Sequence, residues 1–233
     1  MHEYLKADGS ELVDKANRKA KMKAVHSSSA LVCNFFEYWR DKNKKPLTKS
    51  IGLNPEIKLL SFEQKFSMGM QGTMPNLDIF FLLEDGSPIA IESKFTEWMD
   101  KSESSFVNSY FANGVKRWDR AGLPKCQLFA EHIYTEKQRK GYFNEAQLLK
   151  HALGVANKLG NQATLKYLYY DLDETSEVGK MHKQEIQNFK DSIEGELNFE
   201  AITYQEVFQK LEKFEKSGKH SDYLKYLKNR YFG

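Results

Sequence analysis

The sequence predicts an α/β fold in which helices pack around a mixed central sheet, and three observations carry that prediction. The segments "IKLLSFEQKF", "NLDIFFLLE" and "PIAIESKF" are short and rich in aliphatic and aromatic residues, as successive strands are. Two further segments of this kind, "ATLKYLYYDL" and "LNFEAITY", alternate with helical patterns. At 233 residues, 40% of them hydrophobic, the chain is long and apolar enough for a substantial core, and one domain over residues 1–233 is expected.

Taken in order, residues 10–25 mix Leu12, Val13, Ala16, Ala20 and Ala24 with Lys and Arg, the pattern of a partly exposed helix. In "HSSSALVCNFFEYWR" serines stand as N-caps before an apolar run, so a largely buried helix is expected from about Ser28 to Arg40. "DKNKKPLTKS" is polar, holds Pro46 and reads as a solvated connection. The first strand covers residues 57–66, and the glycine-containing loop "SMGMQGTMP" follows it. The next two strands are joined across "DG", a hairpin signal, so the three form a meander. Thr96 to Pro124 reads as helices and loops without marked boundaries. "NEAQLLKHALGVANKLG" is a well-marked helix, capped by Asn144, carrying Leu148, Leu149, Ala152, Leu153 and Val155 on one face, and ended by Gly160. Beyond the fourth strand come a helix over residues 176–194, the fifth strand, and one or two basic amphipathic helices over residues 204–233.

Charge and cysteine usage exclude several classes. With 35 basic and 32 acidic residues the net charge is +3, which permits a polyanionic partner without requiring one. Cys33 and Cys126 lack CxxC spacing, which argues against a zinc ribbon or disulfide framework and fits small core residues in a reducing cytosol. No signal-peptide core and no membrane-spanning run is present, so a cytoplasmic protein without membrane contact is expected. His26, His132, His182 and His220 show no zinc-ligand spacing, "SMGMQGT" lacks the GK[ST] of a P-loop, and Ser27-Ser28-Ser29 lacks the context of a nucleophile.

The stretch "PNLDIFFLLEDGSPIAIESKF" places charges where sheet core is expected. Alternation puts Glu92 and Lys94 on one face of their strand and Ser93 on the other. If Asp85, Gly86 and Ser87 form a three-residue loop, Glu84 pairs with Pro88 and Asp78 with Lys94, and the three charged residues share a face; a loop of two or four residues would send Asp78 to the other face unless a bulge restored it. Two converging carboxylates repel unless a cation sits between them. Magnesium takes oxygen ligands, one or two carboxylates among them, so Asp78 and Glu92 suit it, with the Ser93 carbonyl as a third oxygen. Lys94 then holds or deprotonates the attacking water, or neutralises charge developing on a phosphoryl oxygen. The competing reading is a surface ion pair of Lys94 with Glu92 or Asp78, against which the apolar flanks "IFFLL" and "IAI" argue for burial.

Asp78, then thirteen residues containing a turn, then Glu92-Ser93-Lys94 resembles the PD-(D/E)xK signature of restriction-endonuclease-like nucleases, with "PNLD" similar to its Pro-Asp half. The superfamily core, a helix, three strands, a helix and a further strand, resembles the order over residues 27–171, with helical extensions at both ends. The resemblance implies a magnesium-dependent nuclease, manganese being a substitute ion, that hydrolyses phosphodiester bonds of DNA, or alternatively of RNA. It implies restriction, repair or mobile-element biology, restriction-like cleavage foremost, and a homodimer would let two sites cut both strands. A structure-specific junction resolvase and a binding module that kept the fold without catalysis are the alternatives. Members often carry an extra acid on the first core helix or strand; Glu63 and Glu37 are the candidates here, Glu63 sharing a strand face with Ser61 and Leu59. Gln147 and His151 lie four apart on one helix face and resemble a Gln-xxx-Tyr element with His in place of Tyr; Lys150 beside them offers a charge for a phosphate. Basic clusters at Arg40, Lys42, Lys44 and Lys45, at Lys116, Arg117 and Arg120, and through the last thirty residues, interleaved with Trp118, Tyr223, Tyr226 and Tyr231, fit either a nucleic-acid surface or solvated helix faces.

Overall fold

Near-continuous apolar segments build a five-stranded sheet in the computed structural model, which describes residues 4, 12–14, 19–24, 26–70, 74–136, 139–160, 162–173 and 175–233. Strands β1 (Ile57–Lys65), β2 (Asn76–Leu83) and β3 (Pro88–Lys94) form the expected antiparallel meander. Strands β4 (Thr164–Tyr169) and β5 (Asn198–Thr203) extend it parallel to β3, in the spatial order β1-β2-β3-β4-β5. Parallel neighbours need long crossovers, and each crossover carries a helix. Between β3 and β4 run α3 (Pro124–Thr135) and α4 (Glu145–Leu159), and between β4 and β5 runs α5 (Glu177–Ser192).

Helices cover both faces of the sheet, so its central strands read as near-continuous apolar runs. On one face Phe80, Ala90, Leu165 and Tyr167 share a core with Leu148, Leu149, Ala152 and Leu153 of α4 and with Phe189 of α5. On the other, Ile79, Phe81, Ile89, Ile91 and Leu168 pack with Leu31, Phe35 and Phe36 of α1 (Ser28–Phe36) and with Val207, Phe208 and Leu211 of α6 (Tyr204–Phe214). This is a mixed α/β architecture of the restriction-endonuclease-like type, as the sequence predicts. Gly154 lets α4 approach the end of β1: a Cβ there would lie 2.9 Å from the Phe66 carbonyl oxygen.

Several elements differ from expectation. The "DG" loop comprises Glu84, Asp85 and Gly86, because Leu82 pairs with Pro88 and the Leu83 N–H donates to the Ser87 carbonyl at 3.0 Å. Gly86 takes the left-handed position (φ 88°) that closes such a loop. The loop has three residues, as the expected register requires, but begins one residue earlier, so continuing the ladder sets Asp78 across from Glu92 rather than Lys94. An odd loop length preserves the side on which both residues fall.

"DKNKKPLTKS" is not a solvated connection. Lys45–Ser50 forms a short helix, α2, in which Pro46 sits in the first turn, where its missing N–H is harmless, and Leu47 is fully buried. The helix expected from Ser28 to Arg40 ends at Phe36 and tightens into a 3₁₀ turn over Glu37–Trp39. Of the helix expected over residues 10–25, the described part is helical only in a 3₁₀ turn at Lys21–Lys23, and residues 10, 11, 15–18 and 25 lie outside the described residues, as do 71–73 of the "SMGMQGTMP" loop. Thr96 to Pro124 resolves into 3₁₀ turns at Glu97–Met99, Asn108–Tyr110 and Ala112–Gly114 and a single helical turn at Arg117–Arg120. A small ribbon pairs Ser102–Glu103 with Lys140–Gly141. Cys126 is buried, whereas Cys33 is only half-buried. Among the described residues no helix is long and apolar enough to cross a membrane.

Candidate active site

Backbone pairing between β2 and β3 stops at Ile79 and Ile91, and the next residues open into a cavity of about 730 Å³. Asp78, Glu92, Ser93, Lys94, Glu63 and Gln147 line it together. Where the ladder ends, the Asp78 carboxylate replaces a backbone acceptor: its Oδ2 takes the Ser93 N–H at 2.7 Å. Ser93 Oγ faces away and lies 2.8 Å from the Tyr204 hydroxyl of α6, so the alternation read from "ESK" holds.

Glu92 is 1% exposed, and a carboxylate so buried requires partners. Lys94 Nζ donates to Oε1 at 2.6 Å and Gln147 Nε2 donates to the same oxygen at 2.7 Å. His151 Nε2 stands 2.9 Å from Oε2, close enough for an ion pair but off the line of a good hydrogen bond. Gln147 and His151 therefore both reach Glu92 from one face of α4, whose first turn is fixed by Asn144 Oδ1 accepting the Gln147 N–H at 3.0 Å. Burial alone would raise the Glu92 carboxyl; Lys94 and His151 outweigh it and hold the group below the usual carboxylate range. Burial likewise opposes the Lys94 charge, and Glu92 and Asp78 together hold that ammonium above its usual value. Asp78 is the unrelieved member: burial first, then the like charge of Glu92, push its carboxyl well above the normal range despite Lys94 and the Ser93 N–H.

Glu63 stands in β1 between the pairs Phe62↔Ile79 and Gln64↔Leu77, which sets it across from Asp78. Its backbone is left-handed (φ 51°), a costly conformation for a residue with a Cβ and one that concentrates at functional sites. Asn76 Nδ2 donates to Glu63 Oε2 at 2.9 Å. Glu37 points elsewhere, gripping Arg40 Nε at 3.1 Å and Nη2 at 2.9 Å. Lys150 Nζ donates to the Ser105 carbonyl at 3.1 Å and lies over the Phe106 ring, so it is engaged away from the cavity. Two expected base-stacking residues belong to the core: Trp118 is fully buried with its Nε1 donating to the Leu149 carbonyl at 2.8 Å, and Tyr223 takes a hydrogen bond from Trp39 Nε1 at 3.2 Å.

Sequence reasoning missed Asn76, Glu97 and the segment Lys19, Lys21, Lys23 and His26, all of which line the same cavity. Asn76 was legible within "PNLD", two residues before Asp78; the lysines carry no local signal that would place them there.

The donor set fits a hard divalent cation. Carboxylates are the oxygen donors such an ion takes, and the unrelieved repulsion on Asp78 is what a cation would remove. Among the described residues no three His, Cys, Asp or Glu side chains gather into a ready-made cage, and magnesium, which keeps waters and shares substrate phosphates, needs none.

A meander continued by parallel strands and flanked by helices on both faces, with an acid and lysine cluster where the meander opens, defines a restriction-endonuclease-like domain. The model of a family described as "Restriction Endonuclease associating with ARP" matches residues 2–232, and the chain belongs to that family, which gives it a nuclease-related role. No curated protein and no solved structure matches the chain.

Proposed function

We propose that the chain is a magnesium-dependent nuclease of the PD-(D/E)xK kind that hydrolyses phosphodiester bonds in DNA, with restriction-like cleavage as its role. The observation that carries this reading is the convergence of Asp78, Glu92 and Lys94 on one cavity, with Lys94 2.6 Å from Glu92 and Asp78 bonded to the Ser93 N–H. The family's description, which names a restriction endonuclease and an association with ARP, supports DNA as the substrate and a working partner.

In this reading Asp78 and Glu92, with the Ser93 carbonyl, would hold magnesium, for which manganese could substitute. When bound, the ion supplies positive charge against the phosphoryl oxygens and acidity to the attacking water. Lys94, kept cationic by its two carboxylate neighbours, orients that water and offsets charge growing on the phosphorane oxygens. Gln147 and His151 fix the Glu92 rotamer, so one oxygen is not free to swing onto Lys94 alone. Glu63, held by Asn76, adds a third carboxylate at the cavity edge for a second ion or a bridging water.

The test is nicking and linearisation of supercoiled plasmid by purified protein in magnesium, beside Asp78→Ala and Lys94→Ala. The wild type should cut and both variants should lose at least a hundredfold, roughly the effect of deleting one transition-state charge stabiliser. Cleavage that survives both substitutions, or is absent on linear, branched and RNA substrates alike, refutes the reading. Cleavage of branched DNA alone would make the chain a junction resolvase, and binding without cleavage would make it a module that kept only the fold.

A further inference from the structure

The 730 Å³ cavity is lined by the carboxylates Glu63, Asp78, Glu92 and Glu97 and by the segment just before α1, with Lys19, Lys21, Lys23 and His26. The segment is built to hold its shape. Asp14 accepts the Ala20 N–H at 2.7 Å through one oxygen and Lys23 Nζ at 2.8 Å through the other, and Ala20 is buried. The 3₁₀ turn Lys21–Lys23 follows, closed by the Ala24 N–H on the Lys21 carbonyl, and Ser27 then caps α1 by accepting the Ala30 N–H at 3.2 Å. Lys19 and Lys21 flank the anchored Ala20, so the anchor fixes where both lysines leave the backbone.

Exposed lysines ordinarily need no explanation. Here they line the same cavity as the carboxylates, of which Glu92 is buried, and the two sets divide the labour a polyanion requires. The acids would hold a cation at the bond to be broken, while the lysines would neutralise phosphates beside it. The positive end of α1, at Ser28 and Ser29, lines the same cavity and adds to the attraction.

We infer that the strap formed by residues 19–24 and 26–29 is a phosphate clamp, in which Lys19 and Lys21 grip the DNA backbone next to the scissile phosphate. The inference rests on the nuclease reading for its substrate, and its test is independent of cleavage. Binding of a short fluorescent duplex is measured by anisotropy in EDTA over a salt series, for wild type, Lys19→Ala/Lys21→Ala, Lys19→Arg/Lys21→Arg, and the exposed pair Lys210→Ala/Lys213→Ala on α6 as a remote control. Each lost phosphate contact lowers the slope of log K against log salt by roughly 0.9, so the alanine pair should be shallower by about 1.8. Between about 50 and 200 mM salt the wild type should then lose roughly tenfold more affinity than the alanine pair. The arginine pair and the control should keep the wild-type slope. An alanine pair with an unchanged slope, a control that falls equally, or a wild type that binds no duplex overturns the clamp. Plasmid cleavage in magnesium is scored separately. A wild type that cuts while the alanine pair binds with the same slope sinks only the clamp, and one whose slope depends on the strap but which never cuts sinks only the nuclease.

Discussion

Replacing Lys94 by methionine removes the half-buried cation that Glu92 and Asp78 share. The Nζ lies 2.6 Å from Glu92 Oε1, and the Glu92 side chain is 2% exposed, so water cannot take over the lost partner. Breaking a buried ion pair by deleting one partner destabilises by about 3–5 kcal/mol. Gln147 and His151 still contact Glu92, which places Lys94→Met near the lower end, about 3 kcal/mol. For a chain of this length that corresponds to a fall in Tm of roughly 6–12 °C. The loss should depend on pH. Asp78 has a folded pKa above its unfolded value, so its ionised form opposes folding above that pKa and the penalty disappears as pH falls through it. Lys94→Met should therefore be most damaging above the raised Asp78 pKa and least damaging in acid, and adding Asp78→Asn should restore part of the lost stability by removing the like charge. Melting followed by circular dichroism in EDTA, for both single variants and the double, reads all three. A Lys94→Met protein that melts within about 1 kcal/mol of wild type at neutral pH would mean a solvated surface pair, and the account of a buried charged cluster would fail.

Three other substitutions test the scaffold. Gly154→Ala, normally worth up to about 1 kcal/mol of added helix stability, should instead destabilise by about 1–3 kcal/mol in chemical denaturation, because the new Cβ meets the Phe66 carbonyl at 2.9 Å. Glu63→Gly should relieve a left-handed backbone worth about 1–2 kcal/mol and hold or raise Tm while plasmid cleavage falls; a fall in Tm would show that the strain reading is wrong. Burial, aided by Lys183, pushes His182 down to about 3, so the unfolded chain takes up that proton first and stability should drop by about 1.4 kcal/mol per pH unit below roughly pH 6.5. His182→Gln, which can keep a hydrogen bond to the Tyr167 hydroxyl, should flatten that slope in denaturant titrations at pH 7 and pH 5.

Elements whose signals are local were legible in the sequence. Asn144 and Gly160 bracket α4 because capping and termination act within one turn, and both occupy those roles. The period of two in "IAIESK" was enough to send Glu92 and Lys94 one way and Ser93 the other. The loop start was not legible, because it depends on which position Gly86 takes in the turn, and Gly permits several. Pro46 misled because the same residue opens a helix or a turn, and the difference is made by Leu47 finding a core shared with α6 far along the chain. The amphipathic pattern of α6 was visible, but its apolar side packs in the core and Tyr223 serves the same core, whereas Tyr226 is exposed among the basic residues. Gln147 and His151 were identified as a pair, whereas their common target, Glu92, required the packing of α4 on β3. The strap was invisible for the same reason: nothing near Lys19 in sequence points to Asp78.

A crystal soaked in manganese decides whether Asp78 and Glu92 form a cation site that Lys94 serves. An anomalous peak between the two carboxylates, within reach of the Ser93 carbonyl and lost in Asp78→Asn crystals, is expected. An empty cavity at saturating manganese, or an ion bound elsewhere in a protein that still cuts DNA, would contradict it.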